Sequence, residues 1–264
     1  MKLALLSDVH GNLEALDAVL RDVDRTDPGA RVVCAGDIVG YGPDPEACIA
    51  RLREREALCV MGNHEEMVLG RRDFSECIYS GIVAAVWTRR RLSPSARAFL
   101  ERLPAHLEAA PGVVVCHGNL ESADTYVSTA ERAAEAIAQL VHFQPHAALL
   151  VCGHTHHAAV YTPGGGFLRV VEPGERDLSQ ERPCLINPGA VGQARDGKTL
   201  ARYAVLDLKL RRVSFRDVSY DHEVTIRKLR EAKLVAQVVL TRPTGLGRWV
   251  ERWRTRWARY RAER

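Results

Sequence analysis

The chain has 264 residues, 46% apolar and 27% charged, the proportions of a soluble globular protein of one or two domains. No apolar run is longer than six residues, as in Ala147 to Cys152, far short of a membrane span, and the start, Met1 to Asp8, has only four apolar residues in a row before polar ones, too short for a signal-peptide core. Net charge is +4, yet the stretch from Gly245 to Arg264 alone carries +5, so the body is nearly neutral and does not read as a generic nucleic-acid binder.

Short apolar runs alternate with helical patterns from the amino terminus. Leu3 to Leu6 reads as a strand, and Leu13, Leu16, Leu20 and Val23 then recur at helical spacing behind Asn12 at a cap position. Val32 to Ala35 is a second strand, followed by a helix from about Asp44 to Arg55 and a strand at Leu58 to Met61. From Glu65 to Leu103 the pattern is mostly helical, punctuated by Pro94 and ended by Pro104. Val113 to Cys116 resumes the strands, Thr129 to Val141 reads as a helix, and Ala147 to Cys152 as a buried strand. The remainder turns to β: Ala158 to Thr162, a Gly164-Gly165-Gly166 turn, Phe167 to Val171, Pro183 to Ile186, Tyr203 to Leu208 and Arg212 to Val218. A chain that runs βαβ first and mostly β later predicts two sheets packed face to face with helices outside.

Each early strand ends in residues that bind metals. Asp8 and His10, Asp37, Asn63 and His64, His117, then His154 and His156 all fall just past an apolar run. In open α/β sheets the carboxyl ends of strands converge on one site. Carboxylate, imidazole and amide donors suit divalent ions, and this set is too large for one tetrahedral ion and about right for two, with Asp37 able to bridge them. Asp8-Val9-His10 and His154-Thr155-His156 place donors at alternate residues, which on extended backbone turns both side chains to one side.

In order, Ser7-Asp8-Val9-His10-Gly11-Asn12, Gly36-Asp37-Ile38-Val39-Gly40, Gly62-Asn63-His64-Glu65, His117-Gly118 and Gly153-His154-Thr155-His156 resemble the five blocks of the calcineurin-like metallophosphoesterases. Asn187-Pro188-Gly189-Ala190-Val191-Gly192-Gln193 resembles a further block of the small bacterial phosphodiesterase branch. The resemblance runs from residue 2 to about 217. It implies an α/β fold, a four-layer αββα sandwich, with a small helical insert at about 65–103 and a C-terminal helix. The domain would span 1–220, followed by a helical Arg/Trp-rich extension over 221–264. The resemblance also implies the ligand allocation: Asp8, His10, Asp37 and His156 at one ion, and Asp37, Asn63, His117 and His154 at the other. His64 takes the family's role of proton donor or transition-state stabiliser. The implied activity is hydrolysis of a phosphate ester by in-line attack of a hydroxide held between two divalent transition-metal ions. Manganese is the first candidate, with iron, zinc, nickel and cobalt as the others.

Departures from the family pattern bear on the substrate. Gly40 and Tyr41 stand where the protein-phosphatase branch has Asp and Arg, and Met61 stands where it has a second Arg. With two phosphate-gripping arginines missing, a diester monoanion or a small nucleotide fits better than a monoester dianion, and phosphomonoesterase is the alternative. Arg195 offers a replacement guanidinium beside Asn63 for substrate binding, or is an exposed structural arginine. A non-catalytic metal-binding scaffold on the same fold is the reading from another class, and it is disfavoured because every ligand position and His64 are present.

Other residues have plainer readings. Seven cysteines without a Cys-x-x-Cys pair point to reduced thiols and a cytoplasmic setting. Cys34, Cys116 and Cys152 precede ligand blocks but read as small core residues out of phase with them. His157 should face away from His156, His142 and His146 read as surface residues, and Asn12 and Asn187 as loop-orienting side chains. In the tail, Leu246, Trp249 or Val250, Trp253, Trp257 and Tyr260 form an aromatic stripe between arginines. That stripe suits packing on the body or on a second copy of the chain, with an anionic membrane surface or nucleic acid as the lesser alternatives.

Overall fold

The computed structural model describes residues 1–75, 77–178 and 182–234. The chain opens on β1 (Lys2–Leu6), α1 (Leu13–Thr26), β2 (Arg31–Cys34), α2 (Pro45–Glu54) and β3 (Leu58–Cys59). The helical insert follows as α3 (Asn63–Leu69), α4 (Tyr79–Arg89) and α5 (Pro94–Glu101). Then come β4 (His106–Ala110), β5 (Val113–Cys116), α6 (Ala130–Phe143), β6 (Leu149–Val151), β7 (Ala159–Thr162) and β8 (Gly166–Arg169). The last elements are β9 (Gly174–Asp177), β10 (Cys184–Asn187), β11 (Leu200–Asp207), β12 (Arg212–Ser219) and α7 (His222–Glu231).

The strands form two six-stranded mixed sheets, ordered β3-β2-β1-β11-β12-β9 and β4-β5-β6-β10-β7-β8. Strand alternation sets the layers. Leu3 and Leu5 of β1 face the second sheet, where Val113, Val115, Leu149, Val151 and Ile186 meet them. Ala4 and Leu6 turn the other way, onto Leu16, Val19 and Leu20 of α1. On the far side, Val114, Cys116, Leu150 and Cys152 pack under Ala133, Ala136 and Leu140 of α6. The result is the expected αββα sandwich, with apolar filling in each of its three interfaces.

Two strands escape the sequence reading, β4 and β9, and both lie at sheet edges. β9 reads Gly-Glu-Arg-Asp with no apolar residue and exists through its pairing with β12. β4 is mostly polar at its exposed start and pairs with β5 through a register shift. An edge strand needs no second buried face, so the alternation that marks a central strand is missing.

The helix α7 ties the end of the described chain back to the starts of α1 and α2. Lys228 Nζ donates to Glu14 Oε1 at 2.5 Å and Asp44 Oδ2 at 2.9 Å, while Thr225 Oγ1 donates to Glu14 Oε2 at 2.8 Å. The expected aromatic stripe from Leu246 to Tyr260 lies outside the described residues. Among the described residues no helix is long and apolar enough to cross a membrane.

Candidate metal centre

The parallel pairs β1–β2 and β5–β6 deliver their carboxyl ends to one edge of the sandwich, and every strand-end donor named above arrives there. Three groups form: Asp8, His10 and His156; His10, Asp37 and His64; and Asp37, His117 and His154. In each, one donor atom per residue lies within 4.8 Å of the others. All seven of these residues are buried.

The alternate-residue spacing works by a different backbone from the one expected. Asp8, His10, His154 and His156 have φ of 54°, 50°, 63° and 63°, so each is left-handed rather than extended. Asp37 joins them at 55°. Hydrogen bonds hold these conformations in place: Asp8 N donates to the Gly36 carbonyl at 3.1 Å and His10 N to the Asp37 carbonyl at 2.8 Å. Strained non-glycine residues of this kind persist only where the surroundings over-determine them, and they gather at functional sites.

Neighbouring side chains complete the loops. The Glu65 carboxylate accepts from the backbone N–H of Asp37, Val39 and Gly62 at 2.9, 3.0 and 2.8 Å, locking the second block to the third. Asn187 Nδ2 donates to the Gly153 carbonyl at 2.7 Å and Asn12 Nδ2 to the Gly192 carbonyl at 2.9 Å, the loop-orienting roles expected of both. Gly40, at φ 93°, lies so close to His64 that a Cβ would fall 2.2 Å from its Nδ1. A residue with a side chain cannot stand there without moving the imidazole.

On one side of the centre, acceptor atoms face one another. His10 Nδ1 lies 3.3 Å from the Val39 carbonyl and His156 Nδ1 2.7 Å from the Gln193 carbonyl. A carbonyl only accepts, so each Nδ1 carries the ring proton and each Nε2 presents a lone pair. Those two Nε2 atoms face each other at 3.1 Å, and His156 Nε2 is 3.2 Å from Asp8 Oδ1. Asp8 Oδ1 itself is buried with no hydrogen-bond partner. Burial pushes both imidazoles well below their usual range, so a second ring proton does not relieve the clash of acceptors.

The other side gathers its donors around Asp37. His117 Nδ1 donates to the Ala35 carbonyl at 2.7 Å, leaving Nε2 at 3.2 Å from Asp37 Oδ2 and 3.1 Å from Asn63 Oδ1. His154 donates through Nε2 to the Asp124 carbonyl at 3.1 Å, which leaves Nδ1 as its acceptor. Burial alone would lower His117, but the Asp37 carboxylate outweighs it and lifts the imidazole to about 10. Positive charge is therefore called for at this point, and a divalent cation answers it as a proton does. Asp37 Oδ2 also lies 3.7 Å from His10 Nε2, so one carboxylate oxygen faces both groups. This donor set fits two divalent ions.

The remaining candidate residues lie around these groups. His64 sits beside the donors, its ring 4.7 Å from His10 and 4.6 Å from Tyr41, and its backbone N–H donates to Asp37 Oδ1 at 2.9 Å. Its buried Nδ1 has no hydrogen-bond partner, consistent with Gly40 standing where an orienting Asp would be. Arg195 is half-buried rather than an exposed structural residue. It donates through Nη1 to the Tyr126 hydroxyl at 3.4 Å and through Nη2 to Gln193 Oε1 at 3.3 Å. Its charge adds to burial in depressing His156. His142 and His146 are exposed, His157 is outside the donor groups, and Cys34, Cys116 and Cys152 are buried thiols whose acidity burial helps suppress.

Sequence reasoning missed two neighbours. Glu65 has a signal, an acid at the third helical position behind Gly62, which marks a reciprocal helix cap. Tyr126 has none, since it belongs to the irregular loop after β5. Its ring lies 4.1 Å from that of His154.

Comparison with known proteins agrees with this geometry. Residues 1–211 match the model of the calcineurin-like phosphoesterase superfamily domain. Over 235 residues the chain is 31% identical to the uncharacterized protein MJ0912 of Methanocaldococcus jannaschii, covering 88% of this chain and 93% of that one. The crystal structure of a metallophosphoesterase from Sphaerobacter thermophilus is similar at a TM-score of 0.78 and 33% identity, covering 90% and 97% of the two chains. A hypothetical protein, PH1004 from Pyrococcus horikoshii, shares the fold at a TM-score of 0.68 and 19% identity, over 90% and 96%. With the motif order, the sandwich and the two facing donor groups in agreement, the chain belongs to the calcineurin-like phosphoesterase superfamily.

Proposed function

We propose that the protein is a hydrolase of phosphate esters, phosphodiesters first, that works with two divalent transition-metal ions, manganese foremost. The observation that carries this reading is the convergence of candidate ligand atoms: Asp8 Oδ1, His10 Nε2 and His156 Nε2 on one side, His117 Nε2 and Asn63 Oδ1 on the other, and Asp37 Oδ2 between. Ions held there would polarise a phosphoryl oxygen and lower the pKa of water. Asp8, His10, Asp37 and His156 would hold one, and Asp37, Asn63, His117 and His154 the other. Mixed nitrogen and oxygen donors suit manganese, iron, zinc, nickel or cobalt.

The protein's own groups act around that pair. Asn63 Oδ1 faces His117, so its amide N–H groups are left to donate to a phosphoryl oxygen. Burial holds the His64 imidazole down at about 4, so it is neutral near pH 7; its Nδ1 is packed against Gly40, which leaves Nε2 as the atom to exchange a proton at the ester oxygen. Arg195 supplies the positive charge that Tyr41 and Met61 do not. One guanidinium in place of two favours a monoanionic diester, the substrate type of the small bacterial phosphodiesterase branch, over a dianionic monoester. The second reading, phosphomonoesterase, keeps the same machinery.

The test is hydrolysis of an aryl phosphodiester and the matching monoester by chelated protein with Mn²⁺ restored, beside His64→Ala and Asp37→Ala. Metal-dependent diester turnover abolished in both variants is the expected result. A monoester preference moves the reading to phosphatase, and no turnover of either ester by metal-loaded protein sinks it.

A further inference from the structure

Tyr126 is half exposed at 46%, and of the exposed large apolar side chains among the described residues it alone makes ring contact with a candidate metal donor. Its ring lies against that of His154 in a tilted contact, with the planes inclined by 37°. With one side of the ring against His154, its 46% exposure leaves the other side to solvent beside the candidate centre. The ring is also held in place. The loop that bears it is fixed where the Asp124 carbonyl accepts from His154 Nε2 at 3.1 Å and where the Asp124 carboxylate pairs with Arg72 from the helical insert. Arg72 is in turn anchored on Glu66 of α3 at 3.0 Å. At the hydroxyl edge, Arg195 spends one N–H on Tyr126 and one on Gln193, both long bonds, so most of its five donors remain unused.

A pre-positioned aromatic face beside a guanidinium with spare donors, both next to a phosphoryl site, matches a flat heterocycle joined to phosphate. We infer that the outer face of Tyr126 is a stacking subsite for a nucleobase, with Arg195 reaching the base edge or its phosphate, and that the substrate class is a nucleoside phosphate ester. The inference rests on the phosphoesterase reading for the identity of the neighbouring phosphate site. A sugar phosphate or alkyl ester would leave the Tyr126 face wet and gain nothing from it.

The experiment is calorimetric binding to the full Mn²⁺-loaded chain of two non-hydrolysable ligands, the 5′-methylenephosphonate of adenosine and its base-free ribose counterpart. Stacking on one aromatic ring makes the adenosine compound bind about tenfold tighter. Tyr126→Phe keeps that ratio, and Tyr126→Ala, checked for an unchanged melting temperature, brings it close to unity. Equal affinities in the parent protein, a ratio that survives Tyr126→Ala, or no binding of either ligand overturns the subsite. Aryl diester turnover is measured on the same preparations. Turnover without a base preference rejects the subsite alone, and a base preference without turnover rejects the esterase reading alone.

Discussion

His10 and His156 aim their Nε2 atoms at each other across 3.1 Å while the Nδ1 of each faces a backbone carbonyl. No proton arrangement of two neutral imidazoles satisfies both rings, because the carbonyls have already claimed one proton from each. Ion binding would therefore relieve a defect built into the folded chain.

A thermal consequence follows. Mn²⁺ at about a hundredfold above its dissociation constant stabilises the folded state by about 2.7 kcal/mol. Melting curves in chelator and in Mn²⁺ should differ by roughly 5–10 °C at this chain length. His156→Ala should remove a large part of that difference. A melting temperature indifferent to Mn²⁺ would count against the donor assignment.

Gly40 tests the seat of His64. A Cβ there would stand 2.2 Å from His64 Nδ1 on a backbone at φ 93°. Gly40→Ala is expected to lower kcat about a hundredfold by displacing the imidazole. Backbone strain should cost a further ~1–3 kcal/mol in stability. Diester kinetics and urea unfolding on the same variant measure both, and normal kcat would refute the packing argument.

Arg195 is the guanidinium that the candidate site retains. Arg195→Met should reduce kcat/KM for a diester by about ten- to a hundredfold, the value of a charge-assisted hydrogen bond. Arg195→Lys should recover only part, since an ammonium cannot span Tyr126 and Gln193 at once. Steady-state kinetics that leave kcat/KM untouched in Arg195→Met would return this residue to a structural role.

Away from the site, Asp27 makes a pH-dependent contribution to stability. Its side chain is enclosed, accepting from Lys2 Nζ at 2.7 Å and pairing with Arg216 at 2.7 Å. Burial alone would raise its carboxyl, but Lys2 and Arg216 outweigh burial and hold it below its ordinary 3.8. A carboxyl lowered on folding stabilises above its unfolded value, and the contribution disappears as pH falls through the folded one. Asp27→Asn should cost about 1.5 kcal/mol at pH 7 in urea unfolding. That gap should narrow in acid, below the ordinary carboxylate value. A gap that stays constant with pH would show that shape, not charge, holds the pair.

The donors were legible in the sequence because chemical type and position coincide: Asp8, Asp37, His117 and His154 each follow an apolar run that could only be a strand. The sandwich was legible for a related reason, since β1 and β5 are apolar at consecutive positions and so need cover on both faces. The left-handed backbone at Asp8, His10, His154 and His156 was not, because that conformation is imposed by bonds to residues far along the chain, such as Gly36 and Asp37. Arg195 and Tyr126 meet across 69 positions, and no local periodicity announces a contact of that span. Edge strand β9 was hidden because pairing alone makes it a strand.

The two sheets divide the donors between them: Asp8, His10 and Asp37 follow β1 and β2, while His117, His154 and His156 follow β5 and β6 of the other sheet. The apolar filling between the sheets thus works as a spacer gauge. Leu5 and Ile186 are fully enclosed in that layer, although neither is a candidate metal donor. A cavity opened there would change the fit of the ions without altering one donor atom. The expected consequence is that a core substitution such as Ile186→Ala alters metal affinity while every candidate donor stays in place.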